Sequence, residues 1–140
     1  MSLARKPPTP LEAGIQRTML ATLRHYGVLC WRNNTGAVQA EYKGRKRFIR
    51  YGEVGHSDIF FVLPPRGRFG ALEVKRPGNR PTDDQIGFLQ RVGRAGGLGF
   101  WADDPAIVER IIRVALADPR IRVEVRADGS QELTDEPIPA

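Results

Sequence analysis

The chain is poor in the groups that most often cross-link a protein or hold a transition metal. Of its 140 residues, one is a cysteine, Cys30, and two are histidines, His25 and His56. A lone thiol closes no internal disulfide and builds no thiolate metal site. Two histidines this far apart do not suit a histidine-rich zinc centre. With so little cysteine chemistry, a cytoplasmic location is the expectation. No apolar run approaches the ~18 residues that a membrane-spanning helix needs. The N-terminal stretch "MSLARKPPTP" has basic residues but no apolar segment after them, so it does not read as a secretory signal. Internal repeats and low-complexity segments are also missing.

Positive charge is in surplus. There are 22 Lys and Arg against 16 Asp and Glu, a net charge of +6, in an otherwise ordinary composition of 41% hydrophobic and 27% charged residues. Such a balance favours an anionic partner, nucleic acid above all, over a merely soluble basic protein. The charge is also concentrated. "YKGRKRFIRYG", residues 42–52, packs Lys43, Arg45, Lys46, Arg47 and Arg50 among three aromatics. These five, with Arg76, are the candidate phosphate contacts, because phosphate contacts provide most non-specific affinity. The alternative is a solvated loop.

The length suits one domain with a real core. Residues 1–9 read as a flexible basic arm. A helix is expected from Pro10 to a stop at Gly27, with Thr9 as N-cap, Glu12 three residues after it, and Leu11, Ile15, Met19 or Leu20, and Leu23 at helical spacing. A strand follows at 28–33, a turn at 33–37, and a basic hairpin over 38–51 around Lys43-Gly44. After the loop "GEVGHS", residues 58–64 ("DIFFVLP") are nearly all apolar, as in a central strand buried on both faces. A turn at 65–68 leads into a strand at 69–75, making a hairpin. The spacing then predicts a helix over 82–97 capped by Thr82, with Gln85 at the capping-box position. A strand at 98–102 and a helix over 103–119 follow. Residues 119–140 read as an edge strand (121–126) or a polar tail. This order predicts an α/β fold, a mixed β-sheet flanked by helices on both faces.

One strand is unusual. In "GALEVK" the alternation of a strand puts Ala71, Glu73 and Lys75 on one side and Leu72 and Val74 on the other. A hairpin centred near residues 66–67 brings Asp58 opposite this acid–amine end. Two nearby carboxylates repel unless a cation neutralises them. Oxygen ligands of this kind suit Mg²⁺ or Mn²⁺, which keep several waters and accept phosphate oxygens. Asp58, Glu73 and the Val74 carbonyl are the candidate metal ligands, and Lys75 would stand beside the attacking water. The bland alternative is an ion pair at the rim of a core.

Asp58 with Glu73-Val74-Lys75 resembles the PD-(D/E)XK nuclease core, the restriction-endonuclease-like fold. The wider set "WRNNTG", "GEVGHSDIFFVLP" and "GRFGALEVKRPGNRPTDDQIGFLQRVGRAGG" is similar to the VRR-NUC branch over roughly residues 10–116. The resemblance implies a nuclease domain over 10–118 with Asp58 and Glu73 as metal carboxylates and Lys75 as catalytic lysine. It also implies that Glu12 on the first helix completes the metal site, and that Gln85 orders the site or meets substrate. It further implies a metal-dependent endodeoxyribonuclease, a homodimer acting on branched DNA such as Holliday junctions or flaps. Ser57 stands where the pattern has proline, and no literal Val-Arg-Arg string occurs. Rival readings are a nuclease for linear duplex, single strands or RNA, and a basic binding module without turnover. Glu12 and Gln85 each also have a reading as capping residues, and Gln16 shares the Glu12 face as a supporting candidate. His56 reads as a solvated loop residue, with a site role beside Asp58 as the alternative, His25 as helix surface, and Trp31 and Trp101 as core.

Overall fold

The computed structural model describes residues 10–33, 36–42, 45–51 and 55–140, with only the backbone of 10, 36–42 and 45–51. The expected N-terminal arm, Thr9, Lys43-Gly44, and part of both the 33–37 turn and the loop before Asp58 lie outside the described residues.

The elements run α1 (Pro10–His25), β1 (Leu29–Arg32), β2 (Gly36–Tyr42), β3 (Arg45–Tyr51), β4 (Ile59–Leu63), β5 (Arg68–Val74), α2 (Asp83–Arg94), β6 (Leu98–Ala102), α3 (Pro105–Ala117), β7 (Arg122–Val125) and β8 (Gln131–Thr134). The main sheet has the order β1-β4-β5-β6. β1 and β5 flank β4 antiparallel, whereas β6 runs parallel to β5. That parallel pair needs a crossover, and α2 supplies it. β2 and β3 form the expected hairpin as a separate ribbon, with Tyr42 opposite Arg45.

Register decides which face each residue takes. Phe61 lies opposite both Cys30 and Gly70, and Ile59 opposite Leu72. These residues point to one side, where the Cys30 thiol meets the Leu20 carbonyl of α1. Tyr26 at the end of α1 donates to Glu109 of α3 at 2.8 Å, so α1 and α3 share this face. Met19, Leu23, Phe61, Leu72, Phe100, Val108 and Ile112 make its dry core. Gly70 is required here, since a Cβ would stand 1.9 Å from the Phe61 ring.

α2 covers the opposite face. A Cβ on Gly99 would strike the Leu89 carbonyl and Val92 of α2, and Gly99 pairs with Ala71 in the sheet. Thr82 and Gln85 complete a reciprocal capping box at the start of α2. The expected α/β layering, helices on both faces of a mixed sheet, is therefore present. Among the described residues no helix is long and apolar enough to cross a membrane.

Three expectations need correcting. β4 was expected to be buried on both sides, yet only Ile59, Phe61 and Leu63 are buried, while Phe60 and Val62 are half-exposed. Trp31, expected in the core, is 41% exposed. Both have one cause: α2 packs on β5, β6 and β7, which leaves the β1–β4 end of that face open. Residues 119–140 contain not one strand but the hairpin β7–β8. Its Val123 and Val125 are buried, and Gln131 reads the β6 edge like a strand, accepting from the Trp101 N–H and donating to its carbonyl.

Candidate active site

The α2-facing side of the β4–β5 hairpin ends in acids. Ile59 pairs with Leu72, so Asp58, one residue before β4, falls beside Glu73 and Val74. Its Oδ2 accepts from the Val74 N–H at 2.9 Å, and its main-chain carbonyl accepts from the Asn33 N–H at 2.8 Å. Asn33 also donates through Nδ2 to the Ser57 carbonyl. The Asp58 side of the site is thus tied to the ends of β1 and β5 together. Gly55 brings the preceding loop in against α2: its φ is +86°, and a Cβ there would lie 2.7 Å from the Asp84 carbonyl oxygen. Only glycine satisfies both demands.

Glu73 is fully buried. An ionised carboxylate in that position costs several kcal/mol unless it is paired and hydrogen-bonded. Gln85 Nε2 donates to its Oε1 at 2.9 Å, and Lys75 Nζ stands 3.7 Å from the same oxygen with its side chain 17% exposed. Oε2 is buried as well, and no hydrogen bond to it is found among the described residues. Gln85 does two jobs with one amide. Its Oε1 accepts the Thr82 N–H at 2.9 Å to complete the cap, while its Nε2 orients Glu73. The capping and site readings of Gln85 are therefore compatible.

An open cavity of about 230 Å³ adjoins these groups, lined among others by Glu12, Gln16, Lys75, Arg76, Asn79 and Gln85. Glu12 reaches it from α1, but its Oε1 is ion-paired with Arg76 Nη2 at 3.0 Å. Arg76, expected on phosphate, is thus also a partner of Glu12. Among the described residues no three Asp, Glu, His or Cys side chains converge as a metal cluster. The structure brings together Asp58, Glu73, Lys75 and Gln85, and sets Glu12 and Gln16 at the edge of the same cavity. Arg45, Lys46, Arg47 and Arg50 lie on β3, with no described side chains, and Lys43 is outside the described residues. His56 is not a solvated loop residue: its ring packs on Phe88, 4.5 Å between centroids. His25 is surface, edge-on to Tyr26. Trp101 is partly buried, its indole N–H on the Gly129 carbonyl at 2.8 Å.

Asn33 and Asn79 were not singled out from the sequence. Asn33 lies where a strand passes into a turn, within the "WRNNTG" stretch of the resemblance, and nothing local marks an asparagine that anchors a residue 25 positions later.

The sequence profile of the VRR-NUC domain matches residues 11–101. That span runs from α1 to the end of β6 and includes all four converging residues. A solved structure titled "VRR_NUC domain" is similar in fold, with TM-score 0.50 and 22% identity, over 73% of this chain and 94% of that one. No curated protein matches the chain.

Proposed function

Because the chain belongs to the VRR-NUC domain family, a nuclease-type nucleic-acid-processing domain, we propose that it is a divalent-metal-dependent endodeoxyribonuclease, selective for branched DNA such as junctions or flaps. The observation that carries this reading is the buried Glu73 carboxylate, held between Lys75 and Gln85, with Asp58 fastened to the next residue of the same strand. A fold gains no stability from such a group, so a chemical use is the better explanation.

The donor set fits a hard cation. Mg²⁺ commonly takes one or two carboxylates, retains waters and accepts substrate phosphate oxygens, so Asp58 and Glu73 would suffice, with Glu12 within reach of the same cavity. Bound there, Mg²⁺ or Mn²⁺ would supply an acidified water and neutralise charge on the phosphate. The chain's own residues do the rest. The Val74 and Asn33 N–H groups hold Asp58 in place. Gln85 fixes the rotamer of Glu73. Lys75 extends its ammonium from beside Glu73 towards the cavity, where it orients the attacking water and offsets charge building on the phosphate. The cations of β3 supply sequence-independent affinity for the backbone. A homodimer would place two such sites for cutting two strands.

The rival reading is a basic binding module without turnover, which would bind DNA equally well with or without a divalent metal and cut nothing. Cleavage of a four-way junction in Mg²⁺ and in Mn²⁺, beside linear duplex, single-strand and RNA controls, separates the readings. Glu73→Ala and Lys75→Ala are expected to lower cutting by orders of magnitude while junction binding persists. Wild-type cutting by either variant would mean that the chemistry lies elsewhere.

A further inference from the structure

The open part of the α2-side sheet face carries a cluster of aromatic rings beside the aliphatic Leu29 and Val62, and it begins where the acids end. Two residues back along β5 from Glu73, about 7 Å, the next row on the same face is Ala71, Phe60 and Trp31. The Phe60 ring sits 6.4 Å from Trp31, 5.2 Å from Phe69 and 6.1 Å from Phe88. His56 lies against Phe88, and the Arg91 guanidinium is 5.6 Å from the centre of the Phe88 ring. Trp31 and Phe69 are each 41% exposed. This is one connected ring surface, with a cation on one side and the acid pair at its end.

Resting on the nuclease reading above, we propose that this surface stacks unpaired nucleobases of the strand whose phosphate lies at Asp58 and Glu73. Three observations favour that occupant over an apolar protein: the surface is continuous with the candidate site, the flat rings of Trp31 and Phe69 stand exposed on it beside the aliphatic Leu29, and the chain carries a net charge of +6. A paired duplex hides the faces of its bases within the stack. Only strands with unstacked bases, at flaps, junction centres or single-stranded ends, can present a face to Trp31. Selectivity for branched DNA then follows from which strands can reach both the rings and the acids.

The test is binding in the absence of metal, so that no cutting is needed. Dissociation constants are measured for a flap oligonucleotide and for a blunt duplex, with wild type, Trp31→Ala, Phe69→Ala and Trp31→Phe. Stacking on a single ring is expected to make the flap-over-duplex ratio fall about 5- to 150-fold in each alanine variant. Trp31→Phe should keep most of it. Circular dichroism melting checks that all four fold alike. An unchanged ratio in both alanine variants overturns the proposal, even if the protein cuts DNA. So does a drop from dimer to monomer in Trp31→Ala by sedimentation, since the surface would then belong to a second copy. A collapsed ratio in a protein that never cuts supports the stacking surface and defeats only the hydrolase reading.

Discussion

Gln85 offers the sharpest test of how the buried acid is held, because the helix cap it shares with Thr82 can be weakened without touching its bond to Glu73. Thr82→Ala deletes the side chain that accepts the Gln85 N–H and leaves the Glu73 contact intact, at a cost of about 1 kcal/mol for a cap. Gln85→Ala deletes both its cap contact and the donor to a fully buried carboxylate. A hydrogen bond to a charged group contributes about 1.5–3 kcal/mol, so Gln85→Ala should cost about 2.5–4 kcal/mol. For a chain of this size, at about 3–4 °C per kcal/mol, Tm should fall by roughly 8–16 °C, against about 3–4 °C for Thr82→Ala. Gln85→Glu keeps an oxygen for the Thr82 N–H but presents a second carboxylate to Glu73. The folded state raises the pKa of that introduced group above the ordinary ~4.3. Its deficit is therefore full at neutral pH and shrinks as pH falls through the raised pKa, where the protonated form can donate to Glu73. Calorimetric melts of the three variants between mildly acidic and neutral pH check this ordering. If Gln85→Ala is no worse than Thr82→Ala, Gln85 is a cap alone and the account of Glu73 is wrong.

Two further outcomes concern the scaffold. Gly70→Ala would set a Cβ 1.9 Å from the buried Phe61 ring, and should cost about 3 kcal/mol in urea unfolding; adding Phe61→Leu should recover part of the loss. The Glu109 hydrogen bond holds the Tyr26 hydroxyl above its ordinary pKa of 10.0. That contact contributes fully below the unfolded value and is lost as pH rises through the raised folded value. In an ultraviolet titration Glu109→Gln should lower the Tyr26 pKa towards 10.0; an unchanged titration would mean that α1 and α3 do not meet there.

The elements were largely readable because their signals are local. Thr82 and Gln85 announce the start of α2 by a reciprocal bond that spans three residues. Strand alternation put Glu73 and Lys75 on one side, and a turn midway between Asp58 and Lys75 brought Asp58 to the acid end, as the observed Ile59–Leu72 pairing does. β8 was missed because "QELT" has little apolar content; it is strand because β7 offers a partner, not because of its own propensity.

The amino-acid order alone therefore determined the layered α/β arrangement and the grouping of Asp58, Glu73 and Lys75 at one end of a hairpin, since both depend on the two-residue period of a strand and on a short connection. Only the tertiary structure decided that Gln85 grips Glu73 while capping its helix, that Glu12 pairs with Arg76, and that Trp31 faces outward. Each of those depends on where a separately formed helix comes to rest on the sheet. That position is set by packing such as Gly99 against Leu89 and Val92, which no local run of residues encodes.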